Sequence, residues 1–123
     1  MSGKKTQRKQ PARLKKALAS RERLLAQLPD LRQILRGSLI TRYRRCGQSN
    51  CHCASKADPG HGPAYYLMVS VAPGQTLQVY VPRQHKAAVE SWIANFQTLR
   101  KKLERVSTLN RELLKRGELF EEE

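Results

Sequence analysis

Acidic residues are almost missing from the first third of the chain. Residues 1–45 hold two, Glu22 and Asp30, against fourteen lysines and arginines, a net of +12. The other residues hold ten basic side chains against eight acids, so nearly all of the formal charge of +14 lies ahead of the cysteines. Positive charge with so few acids to neutralise it points to a polyanionic partner: DNA, RNA or an anionic membrane. Aromatic residues make up only 6% of the 123 residues and hydrophobic ones 39%. A compact core drawn from the whole chain is therefore not expected; local helix packing with one small cluster is. No apolar run reaches 18 residues, which excludes a membrane-spanning helix. Glycine-rich phosphate loops and paired-carboxylate patterns are missing too. The basic start "MSGKKTQRKQPARLKK" has no apolar stretch behind it and does not read as a secretory signal.

Cysteine is rare but concentrated. All three cysteines, Cys46, Cys51 and Cys53, fall in "CGQSNCHC", and His61 follows in "HGP". An odd count without an export signal argues for a reducing, cytoplasmic setting and against a disulfide framework. A catalytic thiol needs a placed base and an orienting group, and no acid stands out beside His52, His61 or His85. A metal knot needs soft donors, and zinc takes Cys thiolate and His imidazole tetrahedrally. Cys46, Cys51, Cys53 and His61 form such a set. With one residue between them, Cys51 and Cys53 share one side of an extended segment. The turn-forming Gly47, Ser49 and Asn50 let Cys46 reach back, and the Gly/Pro-rich loop folds His61 in. His52, pointing the other way, is the second choice for the fourth ligand. The expected cofactor is a structural Zn2+, which would stabilise a module too small to hold itself together by apolar burial. Reduced cysteines packed without metal are the alternative. Three thiolates and one imidazole would close the coordination shell, so no enzyme is expected.

The predicted fold class is α+β, a single domain over 12–116. Residues 1–11 read as a disordered basic arm and 117–123 as an acidic tail. From Ala12, Leu14, Ala17, Leu24, Leu28, Leu31 and Leu35 recur at helical spacing, with Arg21 interrupting the stripe. This predicts a helix over 12–36, kinked or broken at Pro29 and ended by Gly37. "SLITRYRRCG" is rich in β-branched and aromatic residues and reads as a short strand entering a Cys/His knot over 42–63. A hairpin over 64–82 turns at Pro73-Gly74, with Tyr65, Leu67, Val69 and Val71 facing Leu77, Val79 and Val81. A long helix over 84–116 carries Trp92, Phe96, Leu99, Leu103, Val106 and Leu113 at three-four spacing, with Asn110 in the one gap. These seven are the candidate oligomerisation stripe of a two-stranded coil, Asn110 falling in the heptad slot of Phe96. Alternatively Leu109 faces the core and Asn110 sits at a solvated end.

The run "LRGSLITRYRRCGQSNCHC", with His61-Gly62-Pro63 after it, resembles a family of small uncharacterised bacterial and archaeal proteins. That family is a domain of unknown function whose genes often lie beside transposases and other mobile elements. The resemblance covers roughly residues 34–116 and rests on Arg36-Gly37-Ser38-Leu39, the three cysteines and His61-Gly62-Pro63. It implies a mobile-element setting, and that Cys46, Cys51, Cys53 and His61 act as one unit. It implies no mechanism.

The candidate nucleic-acid contacts are Lys4, Lys5, Arg8 and Lys9 in the arm, Arg13, Lys15 and Lys16 on the first helix, and Arg42, Arg44 and Arg45 beside the cluster. Neutralising phosphates releases counterions, so binding should weaken steeply with salt. Neither a recognition helix nor an aromatic RNA-binding motif is present; the mobile-element resemblance favours DNA over RNA. The expectation is a non-enzymatic, zinc-stabilised DNA-binding accessory protein linked to transposition. Two alternatives stand beside it: an adaptor docking a transposase or other protein through the C-terminal coil, and an RNA-binding protein.

Overall fold

A computed structural model describes residues 12–118. The arm with Lys4, Lys5, Arg8 and Lys9, and the last five residues of the acidic tail, lie outside the described residues. The architecture is α+β. Helix α1 (Ala12–Ala26) is followed by strand β1 (Ser38–Arg44), a 3-10 turn (His52–Ala54), β2 (His61–Ala72), β3 (Gln75–Val81), a second 3-10 turn (Arg83–His85) and helix α2 (Lys86–Lys115). The strands form one antiparallel sheet in the order β1-β2-β3. The described residues divide into two compact units, one made of those up to Leu31 with those from Gln97 onward, the other of Arg32–Phe96.

The Arg32–Phe96 unit is built on β2. Antiparallel register places Leu39, Leu67 and Val79 in one cross-strand row, with Thr41, Tyr65 and Val81 in the next row on the same face. Leu67 and Val81 are buried there. The Lys86 ammonium lies 5.2 Å from the centre of the Tyr65 ring, so the first turn of α2 sits on this face. Further along it, Val71, Leu77 and Val79 stay exposed. The opposite face carries the row Ile40, Tyr66 and Tyr80. The alternation expected from the hairpin sequence is thus observed, and Gly74, at φ +73°, takes the turn position that a side chain disfavours.

The first helix is shorter than the periodicity predicts. It stops at Ala26 instead of running to Arg36. Pro29 lacks an N–H and pushes Leu28 out of the helical region. Beyond it the chain is held by α2: Leu35 N–H donates to Trp92 O at 3.1 Å, and Asn95 Nδ2 donates to Gln33 O at 2.9 Å. Gly37 therefore does not end a helix. A Cβ there would lie 2.8 Å from Met68 O and 2.9 Å from Leu67 Cδ1, on a backbone at φ +141°. Glycine at this point lets the chain press against the middle strand as it enters β1. Arg36 Nη1 supports the same join by donating to Ser70 O at 2.9 Å.

In the other unit α1 runs antiparallel to the C-terminal part of α2. Arg21 Nη1 donates to Asn110 Oδ1 at 2.9 Å, and Lys102 Nζ donates to Gln27 O. Leu14, Leu99, Leu109 and Leu113 are its buried side chains. The two polar breaks in the helical stripes, Arg21 and Asn110, thus meet each other. This corrects the coiled-coil assignment at three positions. Leu99 and Leu113 are buried within the chain itself, and Asn110 is partnered by Arg21 of the same chain. Leu109 faces the core. Leu103 remains 51% exposed.

Gly37→Ala combines a left-handed backbone with a clash against backbone oxygen. It should destabilise the fold by about 2 kcal/mol in a denaturant melt, whereas Gly47→Ala, which meets nothing within 4 Å, should cost less.

Candidate metal centre

Cys46 and His61 are brought together by the sheet. Arg44, the last residue of β1, pairs with His61, the first residue of β2, so the two ends of the intervening loop are ladder neighbours. A Cβ on Gly62 would fall 2.8 Å from Arg42 O, so glycine beside the histidine permits the strands to close. The middle donors arrive by a different route from the one expected. Cys51 is extended (φ −91°, ψ 150°), but His52–Ala54 forms a 3-10 turn, closed by Ala54 N–H to Cys51 O at 3.0 Å and Ser55 N–H to His52 O at 3.3 Å. The turn, not the alternation of a strand, aims Cys51 and Cys53 at the same space.

The four donor atoms converge. Cys46 Sγ lies 3.5 Å from Cys53 Sγ, and Cys51 Sγ lies 3.1 Å from His61 Nε2. All four are within 4.8 Å of one another. Two thiolates on a tetrahedral zinc, with bonds of about 2.3 Å, would sit about 3.8 Å apart. A disulfide would need about 2.0 Å, and all three cysteines are free. Cys46, Cys51, Cys53 and His61 therefore form a donor set able to hold a metal ion. His52 is not in the set; its exposed ring turns outward to Asp58.

A second layer holds the donors in place. Arg45 spreads its guanidinium over three backbone carbonyls: Cys53 O and Ser55 O (2.9 Å) from Nη1, and Asp58 O (2.6 Å) from Nη2. His52 Nδ1 lies 2.9 Å from Asp58 Oδ2, and Asp58 Oδ1 accepts the Gly60 N–H at 2.8 Å. The His52 hydrogen bond and the Gly60 N–H hold the Asp58 carboxyl below its ordinary range. The His52 and His61 rings meet edge to face at 4.8 Å, so the outer pair also buttresses the ligand histidine. No acid stands beside the histidines in sequence, because Asp58 is six residues from His52 and comes back only through the turns between them, the last closed by Asp58 N–H to Ser55 O at 3.1 Å. Arg45 braces the loop as well as standing among the predicted phosphate contacts, three of its five N–H donors going to loop carbonyls.

The thiols differ. The Gln48 backbone N–H, then hydrogen bonds from His61 and Cys53, lower Cys46 from 9.0 to about 6. Cys53 is fully buried. The Cys46 N–H, 3.4 Å from its sulfur, favours its thiolate, but burial and the neighbouring thiols outweigh it and raise Cys53. The Cys51 thiol faces His61, while the carboxylate of Asp58 holds the other imidazole, His52.

The remaining candidates separate by environment. Arg42 Nη2 donates to Gln78 Oε1 at 3.2 Å, and its guanidinium lies 5.8 Å above the Tyr66 ring. Arg44 is exposed, with no hydrogen-bond or ion-pair partner among the described residues. Arg13, Lys15 and Lys16 are exposed on α1, and Trp92, Phe96 and Val106 are half-buried on α2. No helix among the described residues is long and apolar enough to cross a membrane.

In the metal-free protein, iodoacetamide should modify Cys46 first and Cys53 last, with the Cys46 rate rising through about pH 6; mass spectrometry of peptides reads the order. Between pH 6 and 9 the fold holds fewer protons on Cys46 than the unfolded chain does. Metal-free stability should therefore gain from this thiol as pH rises through that window, and lose it as pH falls through 6. Arg45→Ala should weaken Zn2+ affinity about 10- to 100-fold in chelator competition, because the carbonyls it gathers no longer hold the loop closed.

The family comparison corrects the extent of the resemblance: the match starts at α1 rather than at Ile34, and it ends in the second turn of α2 rather than at Arg116. No curated protein and no solved structure matches the chain. With residues 12–91 matched by its model, the chain belongs to the family described as a domain of unknown function, DUF6788.

Proposed function

We propose that this chain is a non-enzymatic, zinc-stabilised nucleic-acid-binding protein that grips a phosphate backbone, DNA in the first instance, as an accessory to a mobile element. One observation carries the reading. Arg42 and Arg44 lead directly from the sheet into the four-donor cluster, and neither faces a carboxylate among the described residues. Cations left without counter-charge on a braced strand end suit phosphate oxygens, which give affinity without sequence readout. Zinc is favoured over other ions by the donor chemistry, three thiolates and one imidazole at tetrahedral spacing. Arg13, Lys15 and Lys16, exposed on α1, are further cationic groups of the other unit. The transposition setting and the bacterial or archaeal source rest on the family resemblance, and so does the preference for DNA over RNA.

Protein purified without added metal should contain one zinc per chain, and Cys51→Ser should lose it and melt at lower temperature. Binding to a 20-base-pair duplex should weaken steeply between 50 and 200 mM salt, and Arg44→Gln should reduce the log–log salt slope by about 0.9. Absence of metal with unchanged melting in the mutant refutes the zinc half; salt-independent or absent binding at low salt refutes the other.

A second reading, an adaptor that docks a transposase or other partner, draws on α2. Leu103 and Leu114 are 51% and 60% exposed. Eleven residues, three helical turns, separate them, so they share a face that a partner helix could cover. Leu103→Asp distinguishes the two: it should leave duplex binding intact and, on the adaptor reading, abolish association with a co-expressed transposase.

A further inference from the structure

We infer that the sheet face carrying Ile40, Tyr66 and Tyr80 is a stacking platform for the unpaired bases of a single-stranded nucleic acid. The inference rests on the nucleic-acid reading above and names the form of nucleic acid that the sheet takes.

The sheet has two unlike faces. One receives the first turn of α2 and buries Leu67 and Val81. The other sets three large side chains in one row across all three strands, Ile40 on β1, Tyr66 on β2 and Tyr80 on β3. Tyr66 and Tyr80 meet edge to face, ring centres 5.7 Å apart. Tyr80 is 59% exposed and Tyr43, at the cluster end of β1, is 49% exposed. A chain with few aromatic residues thus leaves two of its rings about half in solvent on one small sheet.

Cationic groups occupy the same face. Arg42 lies across the Tyr66 ring and is anchored by the amide oxygen of Gln78, a neutral partner that leaves its charge uncompensated. At the cluster end an open cleft of about 460 Å³ is lined by Arg42, Tyr43, Arg44, His61 and Tyr66. Flat π surfaces interleaved with guanidinium groups that face no carboxylate are the two elements of single-strand recognition: rings and guanidinium planes stack on bases, and cations follow the backbone. A duplex keeps its base faces inside the stack, so it can offer this surface only phosphates. A hydrophobic partner protein would leave Arg42 and Arg44 without counter-charge.

The test uses the full metal-loaded chain and fluorescein-labelled (dT)12, (rU)12 and a 12-base-pair duplex, with anisotropy as the readout. Tyr80→Ala should weaken binding of the single strands about tenfold or more and leave duplex binding unchanged. Tyr80→Phe, which retains the ring, should bind like the parent. Because Tyr80 is mostly exposed, melting temperature and zinc content should stay as in the parent, so the loss is not one of folding. Tighter binding of either single strand supports the platform and names the preferred sugar. The platform is overturned, with the phosphate-binding reading intact, if duplex and single strands bind alike and Tyr80→Ala changes neither, or weakens both equally. No binding of any of the three at low salt overturns both.

Discussion

The pairing of Arg44 with His61 is the constraint from which the rest of the site follows. A loop whose ends are neighbours in a β-ladder has little freedom left to lose, and its closure brings a thiol at one end beside an imidazole at the other. The 3-10 turn then needs only to rotate two more sulfurs inward. Arg45 completes the arrangement by drawing three carbonyls toward one cation, which gives the loop backbone an anchor beside the donor cluster. Around a divalent ion, three thiolates and a neutral imidazole would leave a single net negative charge, and the arginines of β1 stand next to it. The centre therefore does not set up a field that would repel an approaching phosphate.

Much of this was legible in residue types and spacing. The hairpin alternation of Tyr65, Leu67 and Val69 against Leu77, Val79 and Val81 follows from period-two patterning and appears in the register. The convergence of Cys46, Cys51, Cys53 and His61 was readable from donor chemistry, although the argument from an extended Cys51–Cys53 segment fails, since a helical turn does the work. What stayed hidden was tertiary. Pro29 advertised a break, but only the hydrogen bonds made by Leu35 N–H to Trp92 O and by Asn95 Nδ2 to Gln33 O explain why the helix never resumes. Gly37 looked like a helix cap because both a cap and a close backbone approach call for glycine. Arg45 looked like its neighbours Arg42 and Arg44; nothing in a run of arginines says which one folds back onto carbonyls.

The sheet illustrates how a small domain can serve two roles with three strands. Its apolar face is committed to α2 near Tyr65, and that commitment frees the other face from any duty to the core. Side chains there can be chosen for a ligand. Tyr80 and Arg42 on that side are exposed, Tyr66 is half-buried, and Arg42 has the neutral Gln78 as its partner. Arg36 and Gly37 belong to the opposite category: they join β1 to β2 and position the strand that carries both the cations and the first thiol.

The contact between Arg21 and Asn110 has a consequence for the helical unit. Leucines at three- and four-residue intervals would tolerate sliding one helix past the other by a turn, about 5.4 Å, because every step offers another leucine. One amide interrupting such a ladder does not, since a shifted partner would carry its guanidinium elsewhere and leave the Asn110 carbonyl without its donor. The pair works as a vernier mark, giving an otherwise repetitive seam a single axial alignment.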